Sequence, residues 1–118
     1  MEAYVRLIYL PFFRSRAVAQ TVSYGFTQTT ADNFSEAVTR TFRGFDPVAA
    51  TASLGAIKCP TLVVRGELEP IPEAFSRELA NRITGAHYAL INGANHFTYL
   101  EDSEPFFSQV GTFLSREM

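Results

Sequence analysis

Residues 61–100 read TLVVR (61–65), GELEPIP (66–72), EAFSRELANRI (73–83), TGA (84–86), HYALI (87–91) and NGANHFTYL (92–100). The first and fifth pieces are apolar runs of strand length. The third carries Phe75, Leu79 and Ile83 at i, i+4 and i+8, one buried helical stripe, with Gly85 as its stop. The order is strand, helix, strand. Such a connection between neighbouring parallel strands has one hand in nearly all cases, so both following loops leave from the same end of the sheet. That carboxyl end is where ligands bind in open parallel sheets. Glu67, Glu69 and His96 all fall there, and a carboxylate facing an imidazole is the orienting half of a nucleophilic device.

Working outward, TLVV is a continuous apolar run between Pro60 and Gly66, as expected of a strand covered on both faces. Asp46-Pro47 is a helix opening, with the acid as cap and proline at the first position, and Gly55 closes that helix. Pro60 biases Cys59 towards extended backbone, and Cys59 reads as a small buried hydrophobe. Downstream, a helix from Ser103–Pro105 onward sets Phe106, Phe107, Val110, Phe113 and Leu114 on an inward face.

The first 45 residues read as helical. Tyr4, Leu7, Ile8 and Phe12 stand at helical spacing over residues 2–13, broken near the end by Pro11. Ser15 caps a second helix that stops at Gly25. Thr29, Thr30 and Asp32 offer caps and a first-turn acid for a third, on which Phe34, Val38, Phe42 and Phe45 form an aromatic stripe expected to pack against a core.

Size and composition set bounds on function. At 118 residues, 47% hydrophobic, the chain is one domain's worth of globular protein. Ten Lys and Arg against twelve Asp and Glu, without a basic run, argue against a nucleic-acid surface. No run reaches the roughly 20 apolar residues of a membrane span, so no membrane association is expected. One cysteine excludes an internal disulfide and a Cys-based zinc cluster; a reducing compartment, the cytoplasm, is expected. Glu67, Glu69 and His96 are a thin ligand set, so no metal or other cofactor is implied. His87, at a strand start on the opposite end of the sheet, reads as structural.

The order Ile57-x-Cys59-Pro60-Thr61-Leu62-Val63-Val64-x-Gly66-Glu67-x-Glu69-Pro70, then helix and strand, then Gly93-Ala94-Asn95-His96-Phe97 and Leu100-Glu101 before a terminal amphipathic helix, resembles the carboxyl-terminal third of an α/β-hydrolase. The resemblance spans about residues 46–118. It implies an α/β fold: about two parallel strands with flanking helices, the core portion carrying the acid and His loops. Residues 1–45 then resemble the end of the helical cap of proline-iminopeptidase-like hydrolases and cap-bearing esterases. In that family the triad acid follows the penultimate strand and the His the last one. The resemblance assigns these roles to Glu69, three residues after the glycine, and to His96, with Glu67 as the rival acid. It implies a small ester or amide as substrate, including an N-terminal peptide residue.

Three departures stand out. Glu69 replaces the commoner Asp, so its loop must sit further from His96 or its side chain must fold back. Asn95 stands where glycine is frequent, and asparagine is the non-glycine residue that best tolerates a left-handed backbone, so the turn can survive. Above all, no serine lies in a Gly-x-Ser-x-Gly elbow. Acid and base are present without a nucleophile, and two parallel strands make a poor sheet alone. The expectation is therefore a fragment, truncated product or split half that is inactive by itself. The alternative is a non-catalytic module that self-associates or binds a partner through the open edge of strand 61–65. A complete small enzyme using the Glu69 and His96 cleft is the third reading.

Overall fold

The computed structural model describes residues 10–21 and 28–117. It is a mixed α/β arrangement around a two-stranded parallel sheet. A 3-10 turn, Leu10–Phe12, leads to α1 (Arg16–Thr21), α2 (Gln28–Phe42) and α3 (Pro47–Ser53), with a second 3-10 turn at Leu54–Ala56. Then come β1 (Leu62–Gly66), α4 (Glu73–Arg82), β2 (His87–Ile91), the short α5 (Thr98–Glu101) and α6 (Ser103–Glu117).

Local chemistry explains the boundaries. Ser15 Oγ accepts from Val18 N–H at 3.2 Å at the start of α1. The Asp46 carboxylate accepts from Val48 N–H at 2.9 Å and Ala49 N–H at 3.1 Å, with Pro47 opening α3, so the expected cap is present. Gly55 lies within the second 3-10 turn rather than ending α3 outright. Gly85, at φ +78°, turns the chain between α4 and β2, where the missing Cβ removes the steric penalty.

The strands pair from Leu62 opposite His87 to Gly66 opposite Ile91. His87 N–H donates to Thr61 O at one end of the ladder, and Glu67 N–H donates to Ile91 O at the other. Alternation along a parallel ladder then turns the backbone groups of Leu62 and Val64 away from β2, on an edge that no described strand occupies. Helix α4 packs on both strands and α6 on β2. The core is small and gathers under β2: Ile83, Ala89, Ile91 and Ala94 are buried, and Ile91 is the only large side chain among the described residues that is fully enclosed.

Several burial expectations are corrected. On α4, Ile83 is 5% exposed, but Phe75 is 64% exposed and Leu79 is open as well, so the stripe is buried only at its end. On α6, Phe106, Val110 and Phe113 are half-buried while Phe107, at 60%, and Leu114 face outward. Residues 62–64 of β1 are half-buried instead of covered on both faces. Phe34, Val38, Phe42 and Phe45 are all exposed, and α2 starts ahead of Thr29, Thr30 and Asp32, which lie inside it. Cys59 is exposed, because it precedes the first rung of the ladder. One physical reason covers the stripes: periodicity defines an apolar face, whereas burial needs a second surface against it, and no described element supplies one. The helix expected over residues 2–13 lies outside the described residues except for its end, which is the 3-10 turn at Leu10–Phe12 followed by an irregular Phe13. The stop expected at Gly25 also lies outside them.

Candidate active site

The loops after β1 and β2 are tied together by backbone. Leu68 N–H donates to Ala94 O at 2.8 Å, and Gly93 N–H, at the left-handed residue of the second loop (φ +71°), donates to Glu67 Oε2 at 2.7 Å. Glu67 is thereby occupied with the turn. Glu69 goes further: Oε1 accepts from Ile71 N–H at 3.0 Å, and Oε2 lies 2.6 Å from His96 Nδ1. The longer acid therefore folds back on its own loop and still reaches the ring. A second tie fixes the acid's main chain, where the buried Arg65 guanidinium donates to Glu69 O at 2.9 Å and to Ser76 Oγ at 3.4 Å.

An ionised carboxylate only accepts, so the Glu69 contact requires Nδ1 to carry the proton. Nε2 is then the acceptor of the neutral ring. The Glu69 side chain is 10% exposed and that of His96 38%, which leaves the acid shielded and the imidazole reachable. Among the described residues Nε2 has no hydrogen-bond partner.

His96 is also held from behind. Its N–H donates to Phe12 O at 3.1 Å and to Asn95 Oδ1 at 2.8 Å, while Asn95 Nδ2 donates to Pro11 O at 3.0 Å. The ring meets Phe12 and Phe97 edge-on, both at 5.0 Å between centroids, and Phe97 stacks on Phe13 at 4.7 Å. Glu101, 5% exposed, accepts from Asn95 N–H through Oε2 at 2.6 Å and from Arg14 N–H through Oε1.

The structure brings Glu69 and His96 into contact and keeps Glu67 apart from the ring, although both acids share one loop. Asn95 is not left-handed, since no described non-glycine residue has a positive φ; the turn is made by Gly93, and Asn95 acts through its side chain. Arg65 and Glu101 have no place in the sequence-derived site, and Asn95 has one there only as a turn residue. Leu100-Glu101 entered the sequence reading only as a marker of resemblance, and no spacing rule shows that its carboxylate turns inward.

No described serine or cysteine hydroxyl or thiol bonds to His96. Ser76 holds Arg65, Ser15 caps α1, and Cys59 lies at the opposite end of β1. Among the described residues no group of three His, Cys, Asp or Glu is placed to hold a metal, and no helix is long and apolar enough to cross a membrane. His87 sits across the sheet from the site, 6.0 Å from the Phe113 ring. Outside the site, burial first and the Glu73 carboxylate second push the Tyr88 phenol above its ordinary pKa; its hydroxyl lies 3.3 Å from Glu73 Oε1.

No family model matches the chain, and no curated protein does. One solved structure is similar to part of it: Est816, described as an N-acyl homoserine lactone degrading enzyme, at 36% sequence identity and a TM-score of 0.51. The match covers 53% of this chain and 25% of Est816, so the chain corresponds to about a quarter of that protein's length.

Proposed function

We propose that this chain supplies the acid and base of an α/β-hydrolase active site, in which Glu69 orients His96 and His96 activates a nucleophile lying outside this sequence. The observation that carries this reading is the 2.6 Å contact between Glu69 Oε2 and His96 Nδ1, which leaves Nε2 as the base. Similarity to a lactone-degrading enzyme over half of the chain supports the same chemistry. Nε2 takes the proton of a hydroxyl as it attacks a carbonyl carbon, and the imidazolium that forms is stabilised by Glu69. The same proton then goes to the leaving group, and water repeats the cycle to release the acyl product. Residues 46–118 form the core portion and residues 1–45 the end of a cap.

The substrate class is a small ester or amide. What Est816 degrades puts a cyclic ester first among the compounds to assay. The 118-residue chain is inactive alone, because this sequence has no Gly-x-Ser-x-Gly elbow to supply a nucleophile. The test is reconstitution with an amino-terminal α/β-hydrolase portion that carries such an elbow, assayed on an activated ester and a lactone. Turnover that disappears in His96→Ala supports the proposal; turnover unchanged in that variant rejects it.

The edge of β1 that no described strand occupies favours a second reading, a module that self-associates or receives a partner strand. Size-exclusion chromatography at rising concentration separates the two. A monomer throughout counts against the adhesive edge.

A further inference from the structure

Two segments meet behind His96: Pro11–Arg14, from the far amino-terminal side, and the loop Ala94–Phe97. Three hydrogen bonds cross this seam directly, joining the His loop or its flank to main-chain groups 84 to 87 residues away in sequence. They are Asn95 Nδ2 to Pro11 O, His96 N–H to Phe12 O, and Arg14 N–H to Glu101. A further bond on the His-loop side, Asn95 N–H to Glu101 Oε2, joins the carboxylate back to the loop. Glu101 joins the two segments with one oxygen for each, and Asn95 does so too, through its side-chain Nδ2 to Pro11 O and its Oδ1 to His96 N–H. Each oxygen of this buried acid takes a backbone N–H, so its burial is satisfied by the two segments it joins.

We propose that Glu101 is a positioning residue for His96: it clamps the Pro11–Arg14 segment to the His loop, and through that clamp it sets the tautomer and orientation of the imidazole. The inference rests on the Glu69–His96 reading above and adds a control to it. The segment it recruits belongs to the proposed cap, so any displacement of that segment is passed to the base through Arg14, Glu101 and Asn95 in turn. Glu101 does not touch the reacting atoms. Its carboxylate acts on the main chain of the residue before His96, while Phe12 closes on the ring itself at 5.0 Å.

The experiment uses the 118-residue chain labelled with 15N at histidine, read by NMR as the pH is raised until the imidazole 15N shifts no longer change. Imidazole 15N shifts report which ring nitrogen carries the proton. The wild type is expected as the Nδ1–H tautomer, the form the Glu69 contact demands. Glu101→Ala is expected to shift His96 towards the Nε2–H form and to speed amide exchange at Asn95 by about tenfold or more, the loss of one hydrogen bond to a charged acceptor. Glu101→Gln keeps one acceptor oxygen and should fall between the two; it also serves as the variant to read if the alanine form does not fold. Wild-type-like tautomer and exchange in a folded Glu101→Ala or Glu101→Gln chain overturn the clamp and leave the Glu69 pairing standing. An Nε2–H tautomer in the wild type overturns the pairing, and with it both proposals.

Discussion

A Cβ placed on Gly66 would sit 2.1 Å from the carbonyl oxygen of Asn95 and 2.6 Å from that of Ala94. Both obstacles are backbone, so neither can swing aside. The last residue of β1 is glycine because the His loop crosses directly over it, and this crossing is what lets Leu68 N–H reach Ala94 O. Gly66→Ala is expected to destabilise the chain by about 1–3 kcal/mol through overpacking. An unfolding free energy, from urea titration, within about 0.5 kcal/mol of the parent would mean the loops do not cross this closely.

The two acids of the β1 loop separate by role. Glu69→Gln is expected to lower turnover of the reconstituted enzyme by about 10²- to 10⁴-fold, the usual range for losing a group that supports general base catalysis. Glu67→Ala removes the acceptor for Gly93 N–H and costs about 1 kcal/mol of stability while leaving turnover within a few-fold. Steady-state kinetics on both variants decide it; equal losses would show that Glu67 shares the role given to Glu69.

Tyr88 makes stability depend on alkaline pH. Its pKa is raised in the folded chain, by burial and then by Glu73, above the ordinary value of 10.0. The folded state therefore holds the phenolic proton more tightly than the unfolded state does. This contribution is complete below the unfolded value and is lost as pH rises through the folded one. Thermal midpoints measured from pH about 9 to 11 should fall less steeply for Tyr88→Phe than for the wild type. Parallel curves would show that the phenol does not titrate differently on folding.

Cys59 is exposed and free in the folded chain. It should react with a thiol reagent at the rate of an accessible cysteine before any denaturant is added, and Cys59→Ser should change stability by less than about 0.5 kcal/mol. Slow labelling that accelerates only on unfolding would restore the buried position that its small apolar character suggests.

The strand, helix and strand of residues 61–91 were legible because two different periods adjoin across turn residues, and the Asp46 cap because one side chain satisfies its own next backbone groups. Proximity of Glu69 and His96 was legible as well, since parallel connection puts both loops at one end. The extent of burial was not. Phe75 and Phe107 occupy the same helical stripes as Ile83 and Phe106, yet they stand open, because an apolar face tells nothing of what lies opposite. The supposed left-handed Asn95 went wrong for a related reason: asparagine has both a backbone tolerance and a hydrogen-bonding side chain, and only the presence of Pro11 O nearby selects the second.

Local sequence thus determined the elements, their order and the chemical types at the carboxyl end of the strands, because capping, turn and periodicity signals act over a few residues. Tertiary structure alone decided that Glu69 rather than Glu67 meets the imidazole, that Arg65 steadies the acid, and that Glu101 joins residues 14 and 95. Hydrogen bonds of this kind depend on directions set by distant backbone to within a few tenths of an ångström, and no short stretch of chain encodes them.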